Sequence, residues 1–215
     1  MARRFYDLTF GLSVLEQQTN MGSRAAYARA QGSGGDPTAL MTRTETSFLA
    51  ARDSFFLASV TENGWPYVQH RGGAPGFVRD LGEGEIGWAE FVGNRQYISA
   101  GNVAVDDRVA LIFVDYPNRK RLKILGHMAF HDPDDRPDLA KRLMVDGYPG
   151  HVERLAVVKV EAFDWNCPQH IVPRFNLHEL EQILTPLHAR IAELEARLKV
   201  SAAGTPAAPA ARPAT

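Results

Sequence analysis

The stretch "SFFLASVTENGWPYVQH", residues 54–70, decides how this chain folds. Two runs rich in apolar and aromatic residues flank the pair Asn63-Gly64. An Asn-Gly pair between such runs is a strong signal of a β-hairpin, because its backbone conformation fits the twist of two antiparallel strands. The stretch therefore predicts two strands joined by a tight turn.

Similar runs lie at residues 85–92, 108–116, 121–130 and 154–165, and "FVRDL", residues 77–81, is also strand-like, so we expect about six strands. In "RVALIFVDY", residues 108–116, apolar residues are continuous, which predicts a buried strand. Most connections are too short to hold the helix that parallel strands need between them. The pattern predicts a mainly β (α+β) fold, an antiparallel barrel or sandwich with peripheral helices.

Segments of other character flank these strands. Residues 1–44 are expected to form a helical arm and a loop, which contains "GSGGDP", residues 32–37. Residues 176–199 have an amphipathic heptad pattern, in which Thr185-Pro186 is expected to be a cap and a first helical position. Residues 200–215, rich in Ala and Pro, are expected to be disordered. The apolar seam of the heptads consists of Leu177, Leu180, Leu184, Leu187, Ile191, Leu194 and Leu198.

The composition narrows the classes of function. With 24 basic and 25 acidic residues, the chain has no bulk attraction for nucleic acid or anionic membranes. The single cysteine, Cys167, cannot form an intramolecular disulfide. No run approaches the ~18 apolar residues of a membrane span. We therefore expect a cytoplasmic protein without nucleic-acid or membrane partners.

Three motifs are weak candidates for a site. "GEGEIG", residues 82–87, has the spacing of a dinucleotide fingerprint but lies between two strands, which indicates a hairpin turn. His127 and His131 fall on a predicted strand and complete no metal-ligand set, so no metal site is expected. Cys167 is close to His170 in sequence, but a buried, inert thiol is the more frequent outcome.

The segment "GNRQYISAGN", residues 93–102, follows a predicted strand directly. If Asn94 caps a helix, Arg95 lies in its first turn and Ser99 lies over the same face. Free amides, a guanidinium and a hydroxyl at a helix N-terminus suit a phosphate group. A capped helix with a solvated Arg95 explains the segment equally well.

Several ordered segments, "GWPYVQHRGG", "GFV", "WAEFVGNRQYISAGNV", "RVALIFVDYP" and "RLKILG", resemble the FMN-binding split-barrel family related to pyridoxamine 5'-phosphate oxidase. The resemblance covers about residues 45–175, and "NCPQHI" resembles a subgroup of these flavoproteins. It implies an antiparallel split β-barrel, FMN as the cofactor, and a homodimer with FMN at the interface.

The resemblance also implies a cofactor site. The family's Ser-Arg-Lys segment, which holds the FMN phosphate, corresponds to Asn94, Arg95 and Gln96, with Asn102 at the matching distance. Because Gln96 lacks the charge of lysine, Ser99 or Arg71 is expected to compensate. The resemblance also implies that the flavin ring is lined by Gln69, His70 and Arg71. It further implies that the cofactor is contacted from the partner subunit by Arg121 and Lys123.

The implied function is an FMN-dependent oxidoreductase that acts on a small-molecule substrate, with no catalytic side chain assigned. The family's Arg-x-His element for pyridoxamine phosphate has no counterpart, since "DWNCPQHIVPRF", residues 164–175, stands in its place. A true pyridoxamine phosphate oxidase is therefore not expected. A non-catalytic flavin-binding or redox-sensing protein and a haem- or deazaflavin-binding relative remain alternatives.

The heptad segment generates a test. About three heptads interrupted by Pro186 are marginal for an independent coiled coil, so a helix laid on its own barrel is favoured. Deleting residues 177–215 should then leave the implied dimer intact in sedimentation equilibrium. A deletion variant that sediments as a monomer would assign dimerisation to the helix instead.

Overall fold

A computed structural model describes residues 2–33, 41–145, 147–148 and 150–203. Contacts divide the chain into one unit up to Ile171 and a second from Val172. The first unit begins with four helices: α1 (Ala2–Thr9), α2 (Leu12–Asn20), α3 (Arg24–Ser33) and α4 (Arg43–Ala50). Residues 34–40, which include most of the predicted loop, lie outside the described residues.

Seven strands follow in the described part of the chain, one more than the sequence suggested. They are β1 (Ser54–Val60), β2 (Pro66–Gly72), β3 (Arg79–Gly82), β4 (Glu85–Phe91), β5 (Arg108–Asp115), β6 (Lys120–His131) and β7 (Val152–Asn166). Helix α5 (Ile98–Val105) connects β4 to β5, and α6 (Pro137–Leu143) lies between β6 and β7. None of the helices in the described ranges combines the length and the hydropathy that a membrane crossing requires.

The strands form one antiparallel sheet in the order β2-β1-β5-β6-β7-β4-β3. The predicted β1–β2 hairpin is confirmed, with Val60 opposite Pro66 at the turn. "GEGEIG" is the turn of the β3–β4 hairpin, as expected, and Gly82 and Gly84 adopt the positive φ angles that glycine tolerates. The α+β split-barrel prediction is confirmed, although the sheet is not closed.

Because side chains alternate along each strand, the main core fills one face of the sheet, and a second cluster packs α6 against the other face of β4 and β7. Phe55 lies at the centre of the main core, where ring centroids approach those of Trp88 at 5.0 Å and Phe113 at 4.6 Å. In β5, every second residue from Val109 to Asp115 is buried, and the residues between them are half-buried. The continuous apolar run predicted burial on both faces, but only one face is fully buried.

Gly126 allows β6 and β7 to approach closely at a bulge. The register shifts between Leu125 and Gly126, and a Cβ atom at position 126 would lie 2.4 Å from the carbonyl oxygen of Lys159. Only glycine fits there without a shift of the backbone. Beyond the bulge, His127 and His131 lie on β6 as predicted, and His127 Nδ1 pairs with Asp107 at 2.8 Å.

The second unit contains α7 (Leu177–Ala203). It begins with a reciprocal cap, in which Asn176 and Glu179 each accept the other's backbone N–H. The helix continues through Pro186, so the expected start at this residue is wrong. An interior proline removes one backbone hydrogen bond, and its ring crowds the carbonyl four residues earlier, so α7 carries this cost at Pro186. Residues 200–203 of the expected tail are helical, and residues 204–215 lie outside the described residues.

Glu45 joins the start of α4 to the end of β7. Its carboxylate accepts hydrogen bonds from the Thr42 hydroxyl at 2.6 Å and from Trp165 Nε1 at 2.9 Å, and the residue is 7% exposed. Burial alone would raise the pKa of Glu45, but the hydrogen bonds from Thr42 and Trp165 outweigh it and lower the pKa below its ordinary value of 4.5.

We expect Glu45→Gln to lower the free energy of unfolding at pH 7 by about 1–2 kcal/mol, because one acceptor oxygen and the charge-assisted bonds are lost. The folded-state pKa lies below the unfolded one, so this stabilisation is present above pH 4.5 and lost as the pH falls through the folded-state pKa. Urea denaturation of both proteins across this range measures it. A difference in stability that stays constant with pH would contradict the assignment.

Candidate functional site

A cavity of about 300 Å³ opens where β2, β4, the N-terminus of α5 and the start of β7 meet. The segment 93–97, which connects β4 to α5, forms part of its wall. The cavity therefore brings together residues from four elements that are separated in sequence.

Strand β2 supplies three half-buried side chains by alternation: Tyr67, Gln69 and Arg71. The Tyr67 hydroxyl donates a hydrogen bond to the Gln69 side chain. His70 also borders the cavity, but its ring packs edge-on against Phe56 with centroids 5.6 Å apart. The residues that the resemblance implied on this strand, Gln69, His70 and Arg71, therefore all lie at the cavity.

The connection between β4 and α5 differs from the sequence-based prediction. Asn94 is not the helix cap, because its side-chain oxygen accepts the Gln96 N–H two residues on at 3.2 Å. Arg95 and Tyr97 adopt left-handed backbone conformations, with φ angles of 59° and 54°, and α5 begins only at Ile98. Arg95 consequently precedes the first turn instead of lying in it.

Ser99 lies in the first turn of α5 and is 5% exposed. Its hydroxyl accepts a hydrogen bond from Arg71 Nη2 at 3.2 Å. The first amides of a helix have no acceptor within the helix, and they carry its partial positive charge. The cavity thus has a guanidinium, a hydroxyl and a helix N-terminus at one end.

Asn102 links α5 to the sheet. It is buried, and its Nδ2 donates to the Ser59 hydroxyl on β1 at 2.9 Å. This bond holds α5 against the sheet and so helps to fix the position of Ser99. Asn102 itself does not line the cavity.

Sequence inspection missed an ionic cluster at the base of this end. Glu90, 9% exposed, pairs with Arg71 through Oε1 at 2.6 Å and with Arg154 through Oε2 at 3.2 Å. Alternation along β4 could have placed Glu90 on the same face as Trp88. The contribution of Arg154 depends on the β4–β7 register, in which it lies opposite Glu90.

Tyr97 fastens the connecting segment to β7. Its hydroxyl donates to Glu153 at 2.6 Å, and its ring centroid lies 5.0 Å from the Arg154 guanidinium carbon. Arg95 is exposed and donates through Nε to the Tyr97 hydroxyl at 3.3 Å. This hydrogen bond raises the pKa of Arg95 above its ordinary value, so the side chain stays charged.

Arg121 and Lys123 do not line this cavity. Arg121 Nη2 donates to the carbonyl of Cys167 at 3.2 Å, and Lys123 pairs with Asp164 at 3.3 Å. The resemblance assigned them to the cofactor of the partner subunit, and that assignment stays a prediction. The prediction of a buried thiol is wrong, since Cys167 is exposed in a segment without helix or strand.

The family model "Pyridoxamine 5'-phosphate oxidase" matches residues 41–165, which is more than half of the chain. The chain belongs to this family. The matched segment contains every residue that lines the cavity. No curated protein sequence matches the chain.

Solved structures that resemble the chain include three from bacteria. A putative pyridoxamine 5'-phosphate oxidase from Lactobacillus delbrueckii is 20% identical over 60% of this chain and 96% of its own, with a TM-score of 0.44. An FMN-binding protein from Syntrophomonas wolfei is 16% identical over 56% and 81%, with a TM-score of 0.42. A pyridoxamine 5'-phosphate oxidase-related, FMN-binding protein from Nostoc punctiforme is 13% identical over 60% and 85%, with a TM-score of 0.44.

Proposed function

We propose that this protein is a homodimeric flavoprotein that binds FMN in the cavity and acts as an oxidoreductase on a small-molecule substrate. Residues 45–175 form the FMN-binding split barrel in this proposal, preceded by the arm of residues 1–44. The observation that carries it is the contact between Arg71 and Ser99 at the N-terminus of α5.

The phosphate end of the cavity fits a phosphomonoester. Arg71 is anchored by Glu90 through Nε, and its Nη2 lies beside Ser99. A phosphate oxygen accepts hydrogen bonds from guanidinium, hydroxyl and backbone N–H groups, and those to a charged partner are the strong ones. Burial of this anion is costly unless such donors surround it.

The rest of the lining fits the flavin. Tyr67 offers an aromatic ring at the cavity, the buried rings of Phe77 and Trp88 lie beneath the lining, and the Gln69 amide offers polar atoms at one side. A flat ring system with polar edges needs this combination of apolar walls and few polar groups. Bound FMN supplies the redox chemistry, and the chain supplies binding, orientation and the exclusion of water.

Two features support a homodimer. A volume of about 300 Å³ is at the lower end of ligand pockets, so a part of FMN needs another surface to cover it. The outer face of the β1–β2 hairpin exposes large apolar side chains that soluble monomers usually bury or scatter. These are Phe56, Val60, Trp65 and Val68.

The substrate differs from pyridoxamine phosphate in this proposal. The segment 164–175 lacks the Arg-x-His element that the resemblance assigns to that substrate, and its Cys167 carbonyl is engaged by Arg121. No side chain is assigned a catalytic step. The reaction class remains oxidation or reduction of a small molecule by the flavin.

The visible absorption spectrum of the purified protein tests the cofactor. We expect flavin bands, release of FMN on denaturation, and bleaching when a nicotinamide reductant and substrate candidates are screened anaerobically. A haem or deazaflavin spectrum would replace the proposal by the corresponding alternative. Flavin bands without turnover with any reductant would indicate a binding or sensing protein.

Fluorescence titration of Arg71→Ala with FMN and riboflavin tests the phosphate end. Loss of hydrogen bonds to a charged group should weaken FMN binding about 10- to 100-fold, while riboflavin, which lacks the phosphate, should bind as before. Arg95→Ala should lose less than tenfold, because Arg95 is exposed and its Nε contacts Tyr97.

Arg108→Ala is the matched control, since Arg108 is exposed, pairs with Asp106 and does not line the cavity. It should leave both affinities unchanged. Equal losses for FMN and riboflavin in Arg71→Ala would show that Arg71 does not bind the phosphate.

A further inference from the structure

Glu90 has an unusual position for a carboxylate at an anion site. It lies on β4 at the base of the cavity, and each of its oxygens pairs with the Nε of a different arginine. Because both arginines meet Glu90 through Nε, their terminal nitrogens are directed to other partners. Arg71 Nη2 contacts Ser99, and Arg154 Nη2 lies 3.4 Å from Glu153.

Aromatic rings hold the second guanidinium from the sides. The Arg154 guanidinium carbon lies 5.0 Å from the centroid of Tyr97 and 4.7 Å from that of Phe130. Cation–π contacts of this kind orient a guanidinium without using its hydrogen-bond donors. Arg154 is therefore fixed in place by Glu90, Tyr97 and Phe130.

The net charge of the cavity lining is positive, which suits an anionic ligand. The ionised lining consists of three arginines, Arg71, Arg95 and Arg154, and two glutamates, Glu90 and Glu153. With His70 neutral, this leaves one net positive charge. The side chains of Arg71 and Arg154 are only 19% and 21% exposed. Both guanidiniums are paired with the two glutamates, so the excess charge is that of the exposed Arg95.

We propose that Arg154 is a second guanidinium of the anion site and that Glu90 is the positioning residue that sets Arg71 and Arg154 side by side for a phosphomonoester. This proposal rests on the proposed function, because FMN is the phosphomonoester. Glu90 lowers the positive charge of the site, so a gain in attraction for anions does not explain its presence. Its two oxygens explain it, since Oε1 accepts a hydrogen bond from Arg71 and Oε2 forms an ionic contact with Arg154.

Glu90→Gln separates geometry from charge. Glutamine has nearly the same shape, and its one oxygen can still accept from Arg71 Nε, but an uncharged NH₂ group then replaces the oxygen that forms the ionic contact with Arg154. The variant should bind FMN about tenfold more weakly or worse, with riboflavin affinity unchanged. Unchanged or tighter FMN binding would show that Glu90 only reduces the charge, and equal losses for both flavins would show a general structural role.

Glu45→Gln is the matched control, because Glu45 is also a buried, hydrogen-bonded carboxylate but does not line the cavity. It should leave the ratio of FMN to riboflavin affinity as in the wild type. If the wild-type protein binds neither flavin, the proposed function fails. If it binds FMN and Glu90→Gln binds it equally well, only the present inference fails.

A double-mutant cycle tests the link between the two residues. Arg154→Met keeps the apolar stem and removes the guanidinium, and it should weaken FMN binding selectively as well. If Glu90 acts through Arg71 and Arg154, the double variant Glu90→Gln/Arg154→Met should lose clearly less than the product of the two single losses. Losses that multiply would show that the residues act independently and would overturn the positioning role.

Discussion

The pairing of β7 with both β6 and β4 is the constraint on which the remaining structure depends. Residues 155–166 of β7 pair with β6, and residues 152–159 pair with β4, so one strand joins the two parts of the sheet. This register places Arg154 directly opposite Glu90. A slip of one residue would turn Arg154 to the other face of the sheet. The ladder that completes the fold therefore also builds the base of the cavity.

The electrostatics of the cavity depend on placement more than on charge. Three guanidiniums face two carboxylates, so the net attraction for an anion is small. Partly buried charges are expensive unless they are paired, which accounts for the ion pairs of Glu90 with both arginines. Ser99 accepts a hydrogen bond from Arg71, and the rings of Tyr97 and Phe130 contact the Arg154 guanidinium. Because these side chains are already ordered, less of their entropy is lost when a ligand binds.

The N-terminal arm covers a region that the family resemblance assigned to the partner's cofactor. Phe5 of α1 is buried, and its ring centroid lies 4.6 Å from Lys123 Nζ. Lys123 also pairs with Asp164, and Arg4 pairs with Glu161 on the same strand, β7. Lys123 is thus engaged within its own chain.

The sequence by itself determined the strands and the two hairpin turns, because alternation and turn chemistry are encoded in neighbouring residues. It drew attention to Ser99 through the segment 93–102, whereas Arg71 was implied by the family resemblance. It misplaced the start of α5, because Asn94 closes a local turn and two left-handed residues delay the helix. It also missed Glu90 and Arg154 as a pair. Only the tertiary structure decided that pair, because strand register is set by packing between segments that lie far apart along the chain.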